Sequence, residues 1–344
     1  MPGFTSIVGQ KLPLRILQTL LAKGTVPHAL LFTGPAGVGK RTAARYFAMA
    51  MNCQAPDPSG EKPCLECRAC RQIQSGQHPD IIVIEPKGAV LRINQVRELL
   101  GVLAMKPFQA EHRVVILARA EAMNPEAGNA LLKALEEPPA DTVMVLTAEK
   151  QSDLLPTIVS RCRHIRFNPL SARQVTSLLA EQRDLQGQQA ESVAQMCAGS
   201  FAKALQLFDM GWRDQRTWLI RASGLDRPGP SGRRSIGAAL SFAAQLAERK
   251  ETVQHQLDML KTWIRDLAVV DHMPDQVVNR DCLEQLKQVS RGFQAETLIS
   301  LWQTMENTQK AIAGNANLRL TLDTMALAML ACTAEPALTL GING

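Results

Sequence analysis

The stretch Leu30–Thr42, LLFTGPAGVGKRT, constrains this 344-residue chain more than any other. The apolar run Ala29–Phe32 predicts a buried strand. Gly34, Gly37 and Gly39 form a loop after it, and Lys40 opens a run that reads as a helix through Met51. A glycine loop between strand and helix points several backbone N–H groups at one spot, and the helix N-terminus adds partial positive charge there. Such a spot suits a phosphate. The pattern G-x-x-x-x-G-K is complete from Gly34 to Lys40. The next position should carry a Ser or Thr hydroxyl for Mg²⁺, but it is Arg41. Thr42 comes one residue later, about 100° round the helix. Gly34, Gly37, Gly39 and Lys40 are therefore candidate phosphate contacts in a cradle that lacks its metal ligand. It is expected to bind nucleotide weakly or not at all.

Further apolar runs follow with helical segments between them. Asp80–Ile84 predicts a second buried strand, Val114–Leu117 a third and Val143–Leu146 a fourth. Leu12, Leu17, Leu20 and Leu21 mark a helix before the first strand. Ile93, Val96, Leu100 and Leu103 mark another. Pro125–Glu137 reads as a helix closed by Pro138-Pro139. Strands alternating with helices around a phosphate loop predict an α/β domain with a parallel sheet. In an ATP-hydrolysing protein of this kind the third strand ends in acids, one for Mg²⁺ and one to position the attacking water. Here it ends Leu117-Ala118-Arg119, and the nearest acid, Glu121, is displaced. Loss of both the hydroxyl and the acids predicts a site that does not hydrolyse ATP.

Between helix and second strand lie Cys53, Cys64, Cys67 and Cys70, the last three at x₂ spacing. The linker from Gln54 to Pro63 is polar and rich in turn-formers. Four thiols in one short insert suit a tetrahedral Zn²⁺ site with no open position, hence a structural one. His78 nearby reads as a surface histidine. The 38 basic and 32 acidic residues, net +6, permit contact with nucleic acid without demanding it. No apolar run is long enough for a membrane span, and MPGFTSIVGQ lacks the form of a signal peptide. A cytoplasmic protein is expected, with its eight cysteines reduced or metal-bound.

GPAGVGK at Gly34–Lys40, the four cysteines, NALLKALEEPP at Asn129–Pro139 and Ser160-Arg161-Cys162 occur here in the order found in bacterial clamp-loader subunits. The chain resembles this family, the AAA+ proteins of the DNA polymerase III holoenzyme, most strongly over residues 5–170. The resemblance implies that Arg161 is an arginine finger, acting in trans on ATP held by a neighbouring subunit. A rigid guanidinium suits the charge of a transferring phosphoryl group. Local sequence alone would make Arg161 a surface arginine before the strand His164–Phe167. Cys162 reads as a packed small residue; the resemblance implies that Leu135–Pro139 ends a helix at the same subunit interface, with Glu136 and Glu137 as solvated, non-catalytic charges.

The second half reads as helical. Segments 171–182, 188–197 and 201–208 resemble an AAA+ lid, the first capped by Ser171. In active relatives a basic residue sits in the turn here written Gly199–Leu205; Ala202 takes its place. A breaker-rich, basic stretch runs from Gly224 to Arg234. Three apolar stripes follow: Val253, Leu257, Leu260, Ile264 and Leu267; Leu298, Leu301, Trp302, Met305 and Ile312; Leu318, Leu322, Met325 and Met329. The implied fold is an α/β P-loop AAA+ module (1–168) with a Cys₄ zinc insert (53–70), an all-α lid (169–210) and an all-α oligomerisation collar (211–344). The implied partners are gamma/tau and delta clamp-loader subunits and, through the complex, the sliding clamp and primer–template DNA. Two rival readings are an ATP-hydrolysing gamma/tau-like motor subunit and a zinc-dependent DNA-binding module. The first needs Thr42 and Glu121 to replace the missing groups. The second lacks a basic and aromatic run for bases.

Overall fold

The computed structural model describes residues 3–55, 63–88, 90–209, 211–227, 235–248, 250, 252–314 and 316–333. Positions 56–62 of the cysteine linker and 228–234 of the basic loop lie outside the described residues. The chain divides into two compact units, Met1–Val175 with Ala198–Lys203, and Thr176–Cys197 with Ala204–Gly344.

The first unit contains α1 (Lys11–Ala22), β1 (Ala29–Thr33), α2 (Lys40–Met51), α3 (Arg68–Ser75), β2 (Ile81–Ile84), α4 (Ile93–Leu103), β3 (Arg113–Leu117), α5 (Pro125–Glu136), β4 (Thr142–Ala148), α6 (Pro156–Val159) and β5 (Arg163–Arg166). The five strands form one sheet in the order β2-β3-β4-β1-β5. Every pairing is parallel, with Leu31 opposite Leu146 on one side and His164 on the other. Parallel strands need crossover helices, so both faces become covered. Side-chain alternation sorts the core accordingly. Leu30, Phe32, Val114, Ile116 and Val145 join Leu17 of α1 and Phe47 of α2 on one face. Leu31, Val115, Leu117, Met144 and Leu146 join Val96 and Leu99 of α4 and Leu131 and Leu135 of α5 on the other.

The second strand departs from expectation. β2 is an edge strand, its residues half-buried and Val83 exposed. A run of β-branched residues does not distinguish an edge from the centre of a sheet. His78 also departs: it is 4% exposed, and its Nδ1 accepts the N–H of Asp80 at 3.2 Å. Burial lowers its pKa, which favours the neutral ring.

Asp80 holds the loop that leads into β3. Its buried carboxylate accepts the backbone N–H groups of Phe108 (2.7 Å), Gln109 (2.7 Å) and Ala110 (2.9 Å). Arg113 lies 3.7 Å away and donates to the carbonyls of Val102, Met105 and Lys106. Burial alone would push this carboxyl up, but the three donors and the Arg113 charge outweigh it and hold it below the ordinary value. A depressed native pKa contributes stability above the unfolded value of about 3.9, and that stability is lost as pH falls through the native pKa. Asp80→Ala strands a buried guanidinium and is expected to cost about 3–5 kcal/mol in urea unfolding at neutral pH. The difference from wild type should shrink in acid.

α7 (Ala172–Arg183) begins in the first unit and continues into the second; α9 (Phe201–Asp209) does the same. Ser171 and Gln174 form a reciprocal cap at the start of α7. Wholly within the second unit are α8 (Gly187–Met196), α10 (Trp212–Ser223), α11 (Ile236–Glu248), α12 (Val253–Val269), α13 (Leu283–Ser290), α14 (Ala295–Ala313) and α15 (Leu318–Thr333). The expected stripe on α12 is buried throughout, as are Leu298, Leu301 and Met305 of α14 and Leu322, Met325 and Met329 of α15. Trp302 is not: it is 41% exposed, with the Lys261 ammonium 4.5 Å from its ring centroid. Trp263 is fully buried and donates its indole N–H to Leu225 O at 3.2 Å. Arg216 lies under the Trp212 ring at 4.7 Å and forks onto both carboxylate oxygens of Asp281.

Candidate functional site

The phosphate loop joins β1 to α2 at the carboxyl edge of the sheet, where open parallel sheets place their ligands. Gly34 donates its N–H to Glu149 O at 3.0 Å. A Cβ on Gly34, whose φ is +141°, would lie 2.3 Å from Phe167 O. A Cβ on Gly37 (φ +71°) would lie 2.6 Å from both the Ala202 Cβ and the Ser200 Oγ. Both positions therefore require glycine. Phe201 donates its N–H to Gly37 O at 3.2 Å, so the Gly199–Lys203 turn lies directly on the loop. Ala202 contributes a backbone and a methyl group here, with no cation.

Lys40 turns its ammonium back onto the loop, donating to Gly34 O and to Pro35 O at 2.7 Å. Burial lowers its pKa, opposed by the charges of Glu149 and Glu121. Arg41, in the hydroxyl position, pairs with Glu85 at the end of β2. Arg119 follows β3 in a left-handed conformation (φ 54°), with its N–H on Thr147 Oγ1 at 3.2 Å. Glu121 lies within electrostatic reach of Lys40, closer to the loop than its displaced position in the sequence suggests. Burial raises its carboxyl, Glu149 adds to the rise, and its Oε2 is buried without a hydrogen-bond partner among the described residues.

Arg161 stands at the end of α6. Its backbone is fixed by N–H bonds from Ser160 to Pro156 O (3.0 Å), Arg161 to Ile158 O (3.1 Å) and Cys162 to Val159 O (3.2 Å). Its guanidinium donates from Nη1 to Thr157 O at 2.9 Å and from Nη2 to Glu136 Oε1 at 2.6 Å. Arg161 and Glu136 are 34% and 51% exposed. Cys162 is half-buried against the α5 side of the core, and burial pushes its thiol up to about 11. It is a packed residue, not an activated nucleophile.

The four cysteines converge as the spacing requires. The Sγ atoms of Cys53, Cys64, Cys67 and Cys70 all lie within 4.8 Å of one another, and none is in a disulfide. Tetrahedral Zn–S bonds of about 2.3 Å set sulfurs roughly 3.8 Å apart; Cys64 and Cys70 are 4.0 Å apart. Leu65, with φ 63°, turns the Cys64–Cys67 knuckle. Backbone N–H groups point at three sulfurs: Cys64 N at Cys53 (3.4 Å), Cys67 N at Cys64 (3.3 Å) and Cys70 N at Cys67 (3.5 Å). Such donors stabilise thiolate, the form that binds metal. The cluster can therefore hold one metal ion. Cys53 and Cys70 are buried in the core cluster shared with α2, which ties the insert to the module.

Glu136 was not legible as a partner of Arg161. It is 25 residues away in sequence and carries no spacing signal. The approach of Glu149 and of the Ala202 turn to the phosphate loop is non-local in the same way.

The parallel 2-3-4-1-5 sheet with a phosphate loop after its first strand, the four-cysteine insert and the helical C-terminal region are the architecture expected of an AAA+ clamp-loader subunit. The family profile described as DNA polymerase III, delta subunit, matches residues 9–171, and the profile for its C terminus matches residues 233–329. The DNA polymerase III subunit delta' of Pseudomonas aeruginosa is 40% identical over 196 residues, which span 56% of this chain and 59% of that protein. The delta' subunit of Bacillus subtilis is 29% identical over 310 residues, 89% of this chain and 92% of that protein. The Bacillus subtilis subunit tau is 32% identical over 212 residues, covering 60% of this chain and 37% of that protein. Together the two profiles span about three quarters of the chain, which belongs to the DNA polymerase III delta-subunit family they describe, and both delta' relatives fall with it.

Proposed function

We propose that this protein is a non-hydrolysing member of a clamp-loader ring that supports ATP-driven loading of a sliding clamp onto primed DNA. The observation that carries this reading is the phosphate loop itself. It is complete in backbone form, yet Arg41 replaces the metal-holding hydroxyl, and Ala118 and Arg119 replace the acids. Lys40 is engaged with the loop's own carbonyls, and Ala202 brings no cation to it. Such a site retains a frame for phosphate without the groups that polarise it. Arg161, one-third exposed and held at the end of α6, is then the chain's contribution to chemistry, given in trans to an ATPase neighbour.

The cysteine cluster holds Zn²⁺ as a structural ion through Cys53, Cys64, Cys67 and Cys70. Residues 1–168, 169–210 and 211–344 serve as module, lid and collar. The partners are gamma/tau and delta subunits, with clamp and primer–template DNA reached through the complex in the cytoplasm. No helix among the described residues is long and apolar enough to cross a membrane. The test is omission. Clamp loading onto primed circles by reconstituted gamma/tau and delta subunits should depend on adding this chain. Loading at the same rate without it would contradict the proposal.

A further inference from the structure

We infer that Glu136 is a positioning residue that parks the Arg161 guanidinium inside its own subunit until a neighbour's phosphate displaces it. The inference rests on the reading of Arg161 as a trans-acting arginine. Gly128 lies in α5, and a Cβ there would come within 2.9 Å of Leu155 Cδ1 and 3.7 Å of Ile158 Cδ1. The absence of that Cβ lets α6 seat closely on α5. Ile158 is 1% exposed in the same core cluster as Leu131 and Leu135. With α6 seated there, Arg161 lies along α5 and reaches the carboxylate of its last residue.

The guanidinium is held at three points of its own subunit: Thr157 O at 2.9 Å, Ser160 Oγ at 3.3 Å and Glu136 Oε1 at 2.6 Å. Only Glu136 brings charge, and it makes the pair neutral. A carboxylate on the guanidinium also repels the anionic phosphoryl group that Arg161 is to meet. Carboxylate and phosphate therefore compete for one fork. The tether is weak, as a partly exposed, singly bonded ion pair must be. A polyphosphate at close range outcompetes it, whereas a distant or misaligned neighbour does not. The finger is released only when the interface closes.

Because ATP is held by the neighbour's own phosphate loop, one weak surface ion pair moves KM little, whereas the delivered arginine is needed in the transition state, so the effect falls on kcat. In reconstituted complex assayed without DNA, Glu136→Gln should raise the kcat for ATP by about two- to fivefold, the range an exposed ion pair can impose. KM should stay unchanged, and Glu136→Asp should return kcat toward wild type. An unchanged or lowered kcat for Glu136→Gln would overturn the inference. Arg161→Ala, and the double variant with Glu136→Gln, separate the two levels. If Arg161→Ala lowers turnover while Glu136→Gln does nothing, only the parking role falls. If Arg161→Ala itself leaves turnover unchanged, the trans-acting role falls as well.

Discussion

Arg161→Ala in an otherwise intact complex should lower ATP turnover at the neighbouring site by about 10³-fold or more, the scale of a lost arginine finger. The loss follows from geometry and charge. Arg161 is a fixed cation on a turn whose backbone is locked by three local hydrogen bonds, with its side chain one-third exposed. Its role in the folded chain is small. The ion pair with Glu136 lies at the surface, where such pairs contribute about 1 kcal/mol or less. The variant should therefore fold, bind its partners and show a urea midpoint close to wild type. DNA-stimulated turnover equal to wild type, in a complex of verified composition, would remove the arginine from the mechanism.

The second large effect is expected at the cysteines. Metal released by a chelator or by Cys70→Ser should amount to one zinc per chain, and the stability of the module should fall by about 4 kcal/mol or more. The size of the effect follows from burial. Cys53 and Cys70 belong to the core cluster of α1, α2 and the sheet, so metal-free thiols there disturb more than a surface loop. Acid should promote release, because the ligands bind as thiolates and protons compete for them. A DNA-reading zinc module would behave otherwise: stripping the metal would abolish salt-sensitive DNA affinity and leave the rest of the chain stable. Full thermal stability after complete metal removal would contradict a structural ion.

Much of the module was legible because its signals are local. The glycine loop, the apolar strands and the Pro138-Pro139 stop each lie within a few residues, and the sheet forms where they indicate. The cysteine spacing was sufficient because one knuckle turn and one helix start bring Cys64, Cys67 and Cys70 together. What sequence did not reveal depends on strands pairing across the sheet. The edge position of β2 follows from β3 pairing with β4, which no residue of Ile81–Ile84 announces. His78 is buried beside Asp80, whose carboxylate organises a loop some thirty residues later. Trp302 fits the apolar period of α14, yet it turns outward and stacks on Lys261; a stripe wider than the buried face cannot mark its own border.

A phosphate loop with Arg41 in the hydroxyl position and no acids directly after β3 is expected to hold its frame without hydrolysing ATP. The most direct test is Mg²⁺-ATP turnover by the purified chain, with and without primed DNA, against a Lys40→Ala control. The expected result is no turnover above that control under either condition, even where weak nucleotide binding is seen. Turnover above the control would mean that Thr42 and Glu121 supply the missing hydroxyl and acid. The chain would then be a motor subunit.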